Sequence, residues 1–201
     1  MRRGSFDTKR MVILSLLGAI LLVLSGTPLG YLNIGPLAIT LNMVPVAIGA
    51  AALGPSAGAA LGLVFGITSA LQCVGIGGTS AMGVILFGID PVLAVLQRLI
   101  PRILAGWIAG WISLLIRRWK PGLSGYMTGF VAALLNTLLF MTALVLMFSS
   151  TEYLQGLMAG KDAISFIIAY VGVNALVEAF ATTAIVGAIC RALEKTKLIG
   201  G

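Results

Sequence analysis

The chain has 201 residues, 59% of them hydrophobic and 9% charged, with a mean hydropathy of +1.10 and a formal net charge of +7. A soluble domain carries about 25% charged residues, so this composition describes an integral membrane protein. Long, continuous apolar runs exclude a β-barrel, whose short strands alternate polar and apolar positions. With no histidine and only Cys73 and Cys190, no His/Cys metal cluster can be assembled.

Residues 1–10 place Arg2, Arg3, Lys9 and Arg10 ahead of an apolar run, an arrangement that signal peptides share. No small-x-small cleavage site closes the run, so residues 11–28 are expected to remain as a first transmembrane helix. Ser15 and Ala19 sit on it at small-xxx-small spacing, which suits close helix packing. A connector holding Tyr31 and Asn33 leads to segment two, residues 37–53, where Pro45 removes a backbone donor beside Asn42 and predicts a kink. Gly54-Pro55 is a tight connection into segment three, residues 56–74, which ends in Thr68, Ser69 and Gln72.

Residues 75–90 read as an apolar, glycine-bearing loop that could fold over a cavity as a lid, or serve as a plain interfacial connector. The Gly-Lys-Ser/Thr ending of a phosphate loop is missing. Segment four, residues 91–116, is interrupted by Pro101 and closed by Arg117, Arg118 and Lys120. Segment five, residues 123–148, carries one strongly polar side chain, Asn136; a polar connector then leads to segment six, residues 163–192, with Asn174 and Glu178.

The expected fold is therefore all-α, one six-helix membrane domain over residues 1–201 with both termini on one side. That side holds Arg2, Arg3, Lys9, Arg10, Arg117, Arg118, Lys120, Arg191, Lys195 and Lys197, whereas the other holds Lys161 alone. Short cytoplasmic loops concentrate lysine and arginine, so both termini are expected in the cytoplasm.

Arg98 and Arg102 lie four residues apart, on one face of segment four and inside an apolar span. An arginine there costs roughly 2.5–3.5 kcal/mol on insertion scales unless something meets it. At about 1.5 Å per residue, Arg98 falls roughly 10 Å below the outer face, Arg102 and Asn136 roughly 17–18 Å, Asn174 roughly 18 Å and Glu178 roughly 24 Å. Three helices thus deliver polar groups to one level. Glu178, the one acid deep in the hydrocarbon, is expected to pair with Arg102 as a structural ion pair.

Arg98 then suits a ligand's carboxylate or phosphate, the alternative being that it snorkels to the outer interface. Gln97, Asn136 and Asn174 are candidates for ligand hydroxyl and amide groups, or for helix-to-helix bonds; Asn42 and Gln72 could line the cavity mouth. Aromatic residues are scarce, so a cage for a cationic ring is not expected. Neither paired carboxylates nor a Ser-Lys or Asp-Asp dyad is visible, and the chain is not expected to be an enzyme.

Six short helices resemble the substrate-binding S component of energy-coupling factor vitamin transporters. So do Pro45-Val-Ala-Ile-Gly-Ala-Ala-Ala-Leu-Gly-Pro-Ser-Ala-Gly, Pro101-Arg-Ile-Leu-Ala-Gly and Asn174-Ala-Leu-Val-Glu178, which look like the pantothenate, folate, riboflavin and cobalamin branch. The resemblance implies a bacterial plasma-membrane protein that captures a vitamin from outside, in a cavity of helices four to six covered by the first and third loops. It also implies docking on a T subunit with two ATPases, which bind the ATP; the chain itself needs no cofactor. The family's small-residue docking stripe in helix one is matched by Ser15 and Ala19. Pantothenate, with a carboxylate, hydroxyls and an amide, is the first choice of substrate, ahead of folate, riboflavin and cobalamin. A structural subunit of a membrane complex, without a ligand, is the rival reading.

Overall fold

The computed structural model describes residues 8–27, 30–34, 37–160 and 162–196, with the side chains of residues 31–39 and 169–174 outside that description. In chain order the elements are α1 (Thr8–Ser25), strands β1 (Tyr31–Ile34) and β2 (Leu37–Thr40), α2 (Met43–Leu53), α3 (Pro55–Leu71), α4 (Ala81–Ile89), α5 (Pro91–Trp119), α6 (Pro121–Phe148), α7 (Glu152–Met158) and α8 (Ala163–Lys195). Among the described residues the fold is helical, apart from one short antiparallel hairpin that pairs Tyr31 with Thr40 and Ile34 with Leu37.

Among the described residues, five helices are long and apolar enough to cross a membrane: α1, α3 with its following 3-10 turn, α5, α6, and α8 from Ala175. The expected second span is divided between β2 and α2. Eleven residues make α2 roughly 16 Å long at 1.5 Å per residue, about half of a ~30 Å hydrocarbon layer. It compensates by lying at the centre of the bundle. All of its residues except Ala52 are buried, against α1, α3, α5 and α6. Because the helix starts at Met43, Pro45 falls in the first turn, where backbone N–H groups have no intrahelical acceptor. The expected kink is therefore a helix start.

The far end of α2 stops inside the bundle and is capped from outside. Arg10 donates to the Leu53 carbonyl at 2.6 Å, and Arg117 donates to the Ala51 carbonyl, which Ser113 Oγ also approaches at 3.5 Å. Cations at a helix carboxyl end satisfy orphan carbonyls and oppose the negative end of the dipole.

Glycine sets the closest helix contacts. Gly58, Gly62 and Gly66 form one stripe on α3, and an added Cβ would meet α5 backbone at Gly106, Arg102 and Leu99 respectively. On α6, Gly125 and Gly129 lie in the same way against Cys190, Thr182 and Val186 of α8. Small residues let the backbones approach, which is how helices gain packing energy in lipid.

The two longer connectors are not loops. Ser80 caps α4 by accepting the Gly83 N–H at 3.2 Å, and Thr151 caps α7 by accepting the Leu154 N–H at 3.4 Å. Leu86 of α4 and Leu154 of α7 then bury themselves with Met141, Leu144, Phe148 and Phe166 in a second apolar cluster over the ends of α5, α6 and α8. At its start α5 has Pro91 in its first turn and Asp90 as cap, the Asp90 carboxylate accepting from Val92 and Leu93 at 2.9 and 3.0 Å.

Candidate functional site

The buried stripe of α5 carries Gln97, Arg98, Pro101 and Arg102 into the bundle. Pro101 supplies no N–H, so the helix loses one internal bond inside this stripe. Arg102 Nη1 donates to the Arg98 carbonyl at 2.8 Å, placing a side-chain donor beside the break.

Arg98 is 5% exposed and does not face lipid. Its Nη1 donates to Ser69 Oγ of α3 at 3.2 Å and its Nη2 to Ser80 Oγ at 3.1 Å. The guanidinium also lies 5.4 Å from the centroid of the Phe140 ring on α6. One side chain thus joins α3, the cap of α4, α5 and α6. The glycine at position 83 makes room for it, since a Cβ there would sit 2.9 Å from Arg98 Nη2.

Arg102 lies one turn deeper, 4.7 Å from the Phe65 ring centre and 5.0 Å from that of Phe140. Desolvated cation–π contacts are worth on the order of 2 kcal/mol each. Few aromatics are present, yet two of them serve the arginines. Arg102 also interacts electrostatically with Glu178 of α8, and the Thr40 backbone N–H reaches the same carboxylate. The end of β2 therefore meets the acid in the bundle centre.

Among the described residues, the buried side-chain oxygens Gln97 Oε1, Asn136 Oδ1, Glu178 Oε1 and Thr182 Oγ1 have no hydrogen-bond partner. Gln97 Nε2 donates to the Phe140 carbonyl at 3.4 Å, which orients its amide. Asn136 and Phe140 share one face of α6, as Glu178 and Thr182 share one face of α8. Gly125 meets Cys190 and Gly129 meets Val186; extending this antiparallel register by two turns brings Asn136 level with Glu178 to within a residue. The side chain of Asn174 lies outside the described residues.

Asn42 and Gln72 belong to a different cluster. Ser25, at the end of α1, approaches Asn42 Oδ1 at 3.4 Å, accepts from Thr68 Oγ1 at 3.1 Å, and its carbonyl accepts from Gln72 Nε2 at 2.9 Å. Asn42 Nδ2 reaches the Gly30 carbonyl at 3.5 Å. These bonds tie α1, the hairpin and α3 together at the end of the bundle where α4 lies. Ser15 and Ala19 are exposed on α1, on an outward face shared with Val12, Leu16, Leu22 and Val23.

Sequence reasoning missed Ser25, Ser80, Phe65, Phe140 and Thr182. Ser80 had a local signal, a serine immediately before a glycine-bearing apolar run. The aromatic and hydroxyl partners of the arginines come from other helices and leave no local trace.

This arrangement defines a polytopic helical membrane protein with a charged, amide-lined interior closed at one end by a short helix. The family of the substrate-specific component of ECF transporters matches residues 9–190, and the chain belongs to that family. It is therefore a substrate-specific transporter subunit rather than an enzyme. No curated protein matches the sequence.

Proposed function

We propose that this subunit captures a small carboxylated vitamin, with pantothenate the first choice, and delivers it through a membrane T subunit driven by two ATPase subunits. In this reading it sits in a bacterial plasma membrane, α2 serves as the sixth, half-length segment, and both termini are cytoplasmic. Ser15 and Ala19, on the outward face of α1, meet the T subunit. Folate, riboflavin and cobalamin are the alternative substrates.

The observation that carries the reading is Arg98, buried beneath α4 with its donors on Ser69 and Ser80. A carboxylate is a stronger acceptor for guanidinium than a neutral hydroxyl, roughly twofold in hydrogen-bond energy. A ligand whose negative end enters beside Ser80 therefore gains from Arg98 in exchange for the hydroxyl contact. The Ser80 cap then becomes the element whose position reports occupancy. Gln97, Asn136 and Asn174 contact the rest of the ligand, and Asn42 and Gln72, fixed by Ser25, shape the mouth. Arg102 and Glu178 act as the structural ion pair, with Phe65 and Phe140 holding the arginine in place.

The test is mass spectrometry of small molecules released from protein purified without added vitamins. Recovery of a carboxylated vitamin, at a stoichiometry that falls in Arg98→Ala, supports the reading. Protein that releases no vitamin, and binds none on addition, makes it a structural subunit instead.

A further inference from the structure

The β1–β2 hairpin and α4 lie at the same end of the bundle and are held by one continuous set of interior contacts. Ser80, the cap of α4, accepts from Arg98 Nη2 at 3.1 Å. The Arg98 carbonyl in turn accepts from Arg102 Nη1 at 2.8 Å. The centre of the Phe140 ring lies 5.4 Å from the Arg98 guanidinium and 5.0 Å from that of Arg102, so the two arginines share a ring as well as a hydrogen bond. Arg102 interacts electrostatically with Glu178, whose carboxylate also takes the Thr40 N–H at the end of β2. That strand packs directly on α8. Stranding one member of a buried charge pair is costly, so these groups have few alternative arrangements, and a change at one end alters what holds the other.

We infer that the path from Ser80 through Arg98, Arg102 and Glu178 to Thr40 is an interlock between α4 and the hairpin, so that neither element leaves the bundle without loosening the other. Such coupling is reciprocal and is measured as a departure from additivity. Packing without coupling leaves the two elements to open independently. The two free cysteines make the difference measurable. Cys73 is 2% exposed in the turn before α4, and its Sγ lies 2.9 Å from the position of a Cβ on Gly83, so α4 shields it. Cys190, also 2% exposed, is packed against Gly125 at the opposite end of the bundle and reports general loosening.

The experiment labels the full chain in detergent micelles, without vitamin, using a water-soluble maleimide, and follows each cysteine by peptide mass spectrometry. The variants are Ser80→Ala, the pair Arg102→Met with Glu178→Gln, and all three substitutions together; removing both charges at once strands neither. Every variant keeps the surface contact from the Ser80 N–H to the Gln72 carbonyl. The expected result is Cys73 labelling at least about fivefold faster in Ser80→Ala and in the charge-pair variant, the lower end of ordinary coupling, with Cys190 as slow as in wild type. The combined variant should label Cys73 little faster than its faster parent, because the interlock is already broken. In the reverse direction, amide hydrogen exchange of residues 31–40 should speed up in Ser80→Ala, a substitution on another element. Cys73 labelled at the wild-type rate in either variant, effects that multiply in the combined variant, or hairpin amides unmoved by Ser80→Ala would each overturn the interlock. Faster labelling of Cys190 alongside Cys73 would also overturn it, by showing that the whole bundle has loosened. No ligand enters any of these readings, so vitamin capture at Arg98 stands or falls separately.

Discussion

Replacing Gly62 by alanine should destabilise the bundle, although alanine is the better helix former. The added Cβ would meet the Arg102 carbonyl group, with its carbon at 2.9 Å, and the Ile103 Cα at 3.1 Å, all of it backbone that no rotamer change can move. Restoring ordinary contact requires α3 and α5 to part by about 1 Å, and a radial gap of that size forfeits up to about half of each dispersion contact along the seam. Overpacking of this kind costs about 1–3 kcal/mol, against about 1 kcal/mol gained from helix propensity. The expected net loss is up to about 2 kcal/mol. Gly88→Ala is the internal control, because nothing lies within 4 Å of a Cβ there and Gly88 is inside α4. That substitution should stabilise by up to about 1 kcal/mol. Thermal unfolding of both purified variants, followed by tryptophan fluorescence, reads the two signs directly. A Gly62→Ala protein that melts at or above wild type would refute the argument that backbone contact between α3 and α5 positions the arginine stripe.

Other consequences are equally measurable. Arg102→Met should cost on the order of 3–5 kcal/mol by stranding a buried partner, and adding Glu178→Gln should recover much of the loss in membrane yield; a double variant worse than the single one would deny the pairing. Arg117→Ala should uncap α2, lowering the thermal midpoint more than Arg118→Ala, since Arg118 is exposed and Arg117 bonds the Ala51 carbonyl. Asp162 caps α8, and its hydrogen bonds, first to the Ser165 side chain and then to the Ser165 backbone N–H, hold its carboxyl below the ordinary aspartate value of 3.8. A lowered folded-state value means stability that is present above the ordinary aspartate range and is lost as pH falls through the folded value. Asp162→Ala should therefore melt below wild type at pH 7, with the gap closing below about pH 3.8; a pH-independent gap would assign the effect elsewhere.

The long helices were legible because their boundaries are written locally. Asp90-Pro91 announces the start of α5, and Lys120-Pro121 separates it from α6. Residues 37–53 misled because an apolar run has the same appearance as strand or helix; only the pairing of β2 with β1 decides where the helix begins. The helix α4 was hidden by Gly83 and Gly88, which lower helix propensity, and it forms because Leu86 can be buried and Ser80 can cap it. The stripe of Gly58, Gly62 and Gly66 went unread in the sequence, because spacing alone does not say which neighbour it meets. Arg98 and Arg102 were identifiable as costly residues that need partners. Their partners, Ser69, Ser80, Phe65 and Phe140, come from helices distant in sequence, and Asn42 and Gln72 were drawn instead to Ser25.

The central claim is that the Arg98 guanidinium receives the negative end of an imported vitamin. Isothermal titration of pantothenate into wild type, Arg98→Lys and Arg98→Ala tests it most directly, with each variant first shown to keep a cooperative thermal transition. The account predicts a loss of at least a hundredfold in Arg98→Ala, about 2.8 kcal/mol, with Arg98→Lys between the two. Equal affinity in wild type and Arg98→Ala would contradict it.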